Sequence, residues 1–172
     1  NIRPLVGKPL LAYSIQMAQS IDRIDDVFVS SDDERIQKIA LQYGAKVVER
    51  PSELAKDDSP EWLAWQHVIE SVQASAGPFD RMISLPTTAP LRNKDDVENC
   101  LDALEKDVDF VITASESERS PWFNMVKLDE FGNASLLLGD DKSIKRRQDA
   151  PESYDMTTVA YVSRPDFVMR SN

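Results

Sequence analysis

The order of apolar patterns predicts an α/β fold: a mainly parallel sheet flanked by helices, with a β-hairpin inserted toward the C-terminal part. Three observations carry this. Short runs rich in β-branched residues, at 27–30, 45–49 and 109–114, alternate with segments whose apolar residues recur three or four apart. Residues 81–104 form a strand, a proline-rich loop and a helix in direct succession. After Ala114 the alternation stops, and two short apolar runs, 122–128 and 134–138, flank the turn sequence Asp129-Glu130-Phe131-Gly132-Asn133.

Each element has a local cause. Gly7-Lys8-Pro9-Leu10 reads as a helix entry with Pro9 tolerated at the first position, after which Leu11, Ile15 and Ala18 share a face. The strand at 27–30 ends in Ser31-Asp32-Asp33. The helix after it carries Ile36, Ile39, Ala40 and Tyr43 on one stripe and stops at Gly44. A strand at 45–49 leads into the polar loop 50–60, where Ser59-Pro60 caps and starts a helix with Trp62, Trp65, Ile69 and Val72 on one face. Gly77-Pro78 breaks that helix. Arg81-Met82-Ile83-Ser84-Leu85 is the next strand, and Asn93 caps a helix that lines up Val97, Cys100, Leu101 and Leu104. A final strand runs over 157–163. Residues 1–172 read as one domain, with a hairpin or lid insertion at about 120–150. An α/β sheet ordinarily opens on a hydrophobic strand. That strand and its loop are expected ahead of Asn1, with a further piece at the other end.

Composition narrows the function classes. With 20 basic and 30 acidic side chains the formal charge is −10. This argues against a general nucleic-acid binder, which needs a phosphate-neutralising surface. The single cysteine cannot form an internal disulfide, and it falls on the apolar face of its helix. No apolar run is long enough for a membrane-spanning helix, and a cytoplasmic setting is expected. The single histidine, His67, lies mid-helix with no nucleophile pattern near it. Five glycines form neither a Walker loop nor a dinucleotide fingerprint, and no His/Cys spacing suggests a metal centre.

The candidate site lies beyond the carboxyl ends of the strands, where open α/β sheets bind ligands. The loop Pro86-Thr87-Thr88-Ala89-Pro90-Leu91-Arg92 is held rigid by its prolines. It offers two hydroxyls and sets Arg92 beside a helix N-terminus that favours anions. Asp32 and Asp33 end another strand, suited either to a Mg²⁺ ion or ribose hydroxyl or to capping the helix that follows. Arg50 ends a third strand. Lys142 and the run Lys145-Arg146-Arg147-Gln148-Asp149 form the densest basic region, and arginine binds carboxylate or phosphate through paired hydrogen bonds.

Five stretches in order resemble the acylneuraminate cytidylyltransferase family, whose enzymes make CMP-sialic acid and related CMP-sugars. They are Asn1-Ile2-Arg3-Pro4-Leu5-Val6-Gly7-Lys8-Pro9-Leu10, Val29-Ser30-Ser31-Asp32-Asp33-Glu34, Arg50-Pro51-Ser52-Glu53-Leu54-Ala55, Thr88-Ala89-Pro90-Leu91-Arg92 and Arg146-Arg147-Gln148-Asp149. The resemblance implies a Rossmann-like nucleotidyltransferase fold and a homodimer. It also implies a Mg²⁺-assisted reaction of CTP with a nonulosonic or related 3-deoxy sugar acid, giving a CMP-sugar and pyrophosphate. Asn1, Arg50 and the backbone near Ser59 would face the cytidine, with Asp32 on the nucleotide side. Arg147, with Gln148 and Tyr161, would face the acidic sugar, with Arg92 on that side too. By the same resemblance, the family's triphosphate loop would precede Asn1 and its metal-holding aspartate pair would follow Asn172. Pro86 stands where many sialic acid enzymes have a glutamine, and Asp155 and Thr157 replace an arginine and an asparagine. These departures point to a sugar acid other than N-acetylneuraminate. A nucleotidyltransferase for another sugar or sugar phosphate, and a non-catalytic sugar-nucleotide-binding domain, are the alternatives with the same fold.

Overall fold

The computed structural model describes residues 1–139, 144 and 146–171. Lys142 and Lys145 lie outside the described residues. The chain divides into two units, residues 1–113 with 158–172, and residues 114–157.

The first unit opens with a small antiparallel pair, β1 (Pro4–Leu5) and β2 (Lys8–Pro9), turned through Val6 and Gly7 at φ +49° and +79°. Helix α1 (Leu10–Gln19) follows, with Leu11, Ile15 and Ala18 buried as their spacing predicts. Pro9 stands at the N-cap rather than inside the first turn. Strand β3 (Phe28–Ser31), helix α2 (Glu34–Gln42) and strand β4 (Lys46–Glu49) form a parallel β–α–β unit, registered Val29 to Val47 and Ser30 to Val48. Asp33 caps α2 by accepting from the Arg35 amide at 2.8 Å. Gly44, at φ +79°, lets the chain turn tightly into β4.

Helix α3 (Glu61–Ala76) begins with Pro60 at the N-cap and no side-chain cap. Ser59 therefore does not cap it: its amide instead closes a turn onto the Lys56 carbonyl. Strand β5 (Met82–Ser84) leads through the proline loop to α4 (Lys94–Ala103). Asn93 and Asp96 form a reciprocal capping box at its start. Val97, Cys100, Leu101 and Leu104 are all buried against Ile21, Ala160 and Val162. Each fully buried Val or Leu of this kind contributes about 1.5–3 kcal/mol. Strand β6 (Phe110–Glu116) carries the chain out of the first unit.

In the second unit β7 (Val126–Leu128) and β8 (Ala134–Leu136) form the expected hairpin, shorter than the apolar runs suggested. The Asp129 carboxylate organises its turn by accepting from the Phe131 and Asn133 amides at 2.9 and 2.8 Å. The Asn133 side-chain amide, donating to Asp129 Oδ2 at 2.9 Å, and then these backbone bonds hold the Asp129 carboxyl below its ordinary pKa.

Strand β9 (Tyr154–Ser163) begins in this unit and ends in the first, where it lies between β5 and β6. It pairs antiparallel with β5, through Ile83 to Val162, in a three-stranded sheet separate from the parallel β3–β4 pair. Residues along β9 alternate. Ala160 and Val162 face the α4 core, while Tyr161 joins the rings of Trp65 and Phe110. Trp62 and Phe167 complete that aromatic cluster. Helix α5 (Pro165–Arg170) is tied to α3 by Trp62 Nε1 and Gln66 Nε2, which both donate to the Val168 and Ser171 carbonyls.

Candidate functional site

The site is assembled where β3, β4 and β5 end. Ser30 and Ser31 close β3, Arg50 follows β4, and Leu85–Thr88 follow β5. All of these, with Asn1, line one cavity of about 960 Å³ in the first unit. The parallel β3–β4 pair explains why two of these groups meet: both strands present their carboxyl ends on the same side.

Arg50 is half-buried and already oriented. Its Nε donates to Ser30 Oγ at 3.1 Å and one Nη donates to the Ser30 carbonyl at 3.1 Å. The other Nη makes no hydrogen bond among the described residues. The guanidinium therefore offers a fixed cation with spare donor capacity, which suits an anion or a carbonyl-rich base. Across the rim, Thr87 Oγ1 donates to Asn1 Oδ1 at 2.7 Å, leaving the Asn1 amide nitrogen to a ligand.

The proline loop is braced from beneath by Arg92. This residue is 8% exposed. One Nη donates to Ser14 Oγ at 2.9 Å, and the other donates to the Pro86 carbonyl and, at 3.5 Å, to the Thr158 carbonyl. Its Nε is buried without a partner. Burial alone pushes its pKa down. Thr88 Oγ1 donates to Thr158 Oγ1 at 3.2 Å, pinning the loop to β9 as well. In this arrangement the Arg92 donors point at the underside of the loop.

The other expected site residues have surroundings of their own. Asp32 is exposed and Ser59 half-buried, and neither lines the cavity. Of the adjacent aspartates, Asp33 is the engaged one, with its carboxylate gripped by the Arg35 guanidinium at 2.6 Å and held at a pKa of about 2. Tyr161 stacks within the aromatic cluster, 5.7 Å from Trp65 and 6.3 Å from Phe110 between ring centroids. Arg147 and Gln148 belong to the second unit, in a single helical turn, Arg147–Asp149. Both are exposed, and Arg147 donates to the Glu118 carbonyl at 2.9 Å. Neighbouring Arg146 is taken up by Asp149 at 2.7 Å. Among the described residues no three His, Cys, Asp or Glu side chains converge as metal ligands.

Sequence reasoning did not anticipate Ser30 and Ser14. Ser30 orients Arg50, and Ser14 receives Arg92 from 78 positions away. A serine at a strand terminus beside a strand that ends in arginine is the one local signal for the first. Nothing local marks the second.

Residues 1–167 match the model of the cytidylyltransferase family. The chain belongs to the cytidylyltransferase family. It is 35% identical to a pseudaminic acid cytidylyltransferase of Campylobacter jejuni, over 90% of this chain and 66% of that one. It is 29% identical to the post-translational flagellin modification protein B of Campylobacter coli, over 100% of this chain and 73% of that one. The chain thus spans 66–73% of the length of these relatives. A solved CMP:2-keto-3-deoxy-manno-octonic acid synthetase complexed with CTP superposes with a TM-score of 0.67 at 17% identity, covering 97% of this chain and 68% of that one. The nucleotidyltransferase fold and the family expected from the sequence both stand.

Proposed function

We propose that this chain forms the nucleotide-binding body of an enzyme that transfers CMP from CTP to a nonulosonic or related 3-deoxy sugar acid, releasing pyrophosphate. The observation that carries the reading is the meeting of Asn1, Arg50 and Thr87 at the ends of the strands, within a cytidylyltransferase match over residues 1–167. Family membership supports CTP as the nucleotide. The Campylobacter jejuni relative, named for pseudaminic acid, supports an acidic nonulosonate as acceptor.

The chemistry asks for positioning and charge neutralisation more than covalent work. The anomeric hydroxyl oxygen of the sugar acid attacks the α-phosphorus. The bond to the bridging oxygen of pyrophosphate breaks, and the hydroxyl proton departs to base. Asn1 and the preset Arg50 guanidinium orient the nucleotide, with Asp32 and the backbone near Ser59 on the same side. Arg147 meets the sugar carboxylate, with Gln148 beside it and Tyr161 and Arg92 on the sugar side. Arg92 acts there by fixing the shape of the proline loop. Mg²⁺ is the expected metal, and no step is assigned to it. The hairpin supports a homodimer: Val126, Leu128 and Phe131 are 57, 67 and 82% exposed, a surface that a second copy would cover. No helix among the described residues is long and apolar enough to cross a membrane, and a cytoplasmic setting goes with the proposed use of CTP.

Pyrophosphate release is the test. CTP, UTP, GTP and ATP are each offered with sialic, legionaminic-type and 3-deoxy-octulosonic acids. Release with CTP and one acid is expected. Release with another nucleotide, or with no acid at all, overturns the reading. Arg147→Ala is expected to raise the sugar KM and leave the CTP KM unchanged.

A further inference from the structure

The proline loop has few donors to give. Pro86 and Pro90 have no N–H, and the Ala89 amide closes a turn onto the Pro86 carbonyl at 3.4 Å. The hydroxyl protons are committed as well. Thr87 Oγ1 donates to Asn1 Oδ1, and Thr88 Oγ1 donates to Thr158 Oγ1. Residues 86–90 are left with two consecutive amides, those of Thr87 and Thr88, which have no acceptor among the described residues. Both residues line the cavity. Their peptide is fixed from the far side of the turn. The Pro86 carbonyl accepts directly from Arg92, and at 3.5 Å from Ser14 Oγ, which itself accepts from Arg92 at 2.9 Å. A trans peptide holds its N–H opposite its C=O, so the Thr87 amide points away from Arg92 and Ser14. A cation on the carbonyl also polarises that peptide, which makes its N–H a stronger donor.

We propose that the Thr87 and Thr88 amides form an oxyanion cradle, backed through the Pro86 peptide by the Arg92 guanidinium. Arg92 is a positioning residue in this arrangement and acts without touching the ligand. Two observations select an anion over a neutral acceptor. Successive backbone N–H groups make concavities that suit anions. Behind them stands a cation that is 8% exposed and whose acceptors, Ser14 Oγ and the Pro86 and Thr158 carbonyls, are all neutral. A buried charge without an ion partner is unfavourable, so a negative ligand above the turn completes it. The chemical class is a phosphate or carboxylate oxygen. Both occur in the substrates of the proposed reaction, and the inference rests on that reading only for which of the two is held. The threonine hydroxyls, already donating, orient the turn, and its backbone makes the contact.

The test is an amide NMR titration of the isotope-labelled chain with inorganic phosphate, with pyruvate, and with sodium chloride at matched ionic strength. The Thr87 and Thr88 signals report the cradle, and those of Ala160 and Val162 in β9 report the fold. Phosphate or pyruvate is expected to move both cradle protons downfield to saturation, and chloride is not. Saturation by phosphate alone assigns the cradle to the nucleotide, by pyruvate alone to the sugar acid, and by both to an oxyanion from either; each supports the proposal. Two variants test its parts. An ester in place of the Pro86–Thr87 amide removes one N–H and is expected to weaken anion binding about tenfold, as is Arg92→Met. Unmoved cradle signals in the folded parent overturn the proposal. So does movement of one amide alone, an equal shift in sodium chloride, or an ester chain with intact β9 signals that binds as tightly as the parent. Parent-strength binding by Arg92→Met overturns the backing by Arg92. Where a variant loses its β9 signals, the parent titration decides. Pyrophosphate release is scored separately: a chain that holds phosphate at the cradle and releases no pyrophosphate from CTP overturns the proposed reaction and leaves the cradle standing.

Discussion

Replacing Arg92 with methionine separates two roles for an arginine beside a ligand loop. Methionine keeps most of the volume and removes the charge. Two well-placed hydrogen bonds disappear, to Ser14 Oγ and the Pro86 carbonyl, and a third to Thr158 at 3.5 Å is marginal. Hydrogen bonds from a charged group contribute about 1.5–3 kcal/mol each, so the gross loss is about 3–6 kcal/mol. Relief from burying a guanidinium whose Nε has no partner offsets part of it. The expected net loss is about 2–4 kcal/mol, equivalent to about 4–16 °C in Tm for a chain of this size. Urea and thermal unfolding followed by circular dichroism measure it, and KM values for both substrates accompany it. A brace predicts lower stability with both KM values raised, because the loop as a whole loosens. A direct sugar contact predicts near-normal stability and a raised sugar KM alone. A loss within about 0.5 kcal/mol would refute the bracing argument.

Other perturbations test neighbouring claims. Arg50→Ala is expected to raise the CTP KM about tenfold or more while sparing the sugar KM, since it removes a pre-oriented charged donor; an unchanged CTP KM would remove Arg50 from the nucleotide side. Asn93→Ala dissolves the capping box and is expected to cost about 1 kcal/mol in urea unfolding, whereas a null effect would mean the box contributes nothing measurable. Asp33 is held at a pKa of about 2 by Arg35, against 3.8 unperturbed. Its charged form therefore stabilises the fold above about pH 4, and that contribution is lost as pH falls through about 2. The Tm gap between the parent and Asp33→Asn should be full near neutrality and close across that window; a gap independent of pH would exclude the linkage.

Much of the fold was legible because its signals are local. The face of Val97, Cys100, Leu101 and Leu104, the stop at Gly44 and the cap at Asn93 each depend on residues within a turn or two of one another. What escaped the sequence depends on distance along the chain. The aromatic cluster brings Trp62 together with Phe167, and the length and antiparallel direction of β9 are set by pairing with a strand some eighty positions earlier. The site divides the same way. The strand-end position of Arg50 followed from alternation of strands and helices, whereas Asn1 entered only through the family resemblance. Arg92 was read as a ligand-facing cation because nothing beside it in sequence reveals that it bonds Ser14 and Thr158 instead. Ser59 was read as a cap because serine before proline often is one, but here the proline takes the position.

The aromatic cluster has a consequence for observing this protein. Two of the three indoles, Trp62 and Trp65, lie 5.4 Å apart between ring centroids, with rings tilted by 46°. Chromophores at that distance and angle couple, so the first unit carries a chiral near-ultraviolet signature of its own. The third, Trp122, lies in the second unit. A Trp122→Phe chain would thus emit from the first unit alone. Because α3 carries both indoles of the pair and also lines the cavity beside β5, changes at the strand ends can be followed by light, without a label.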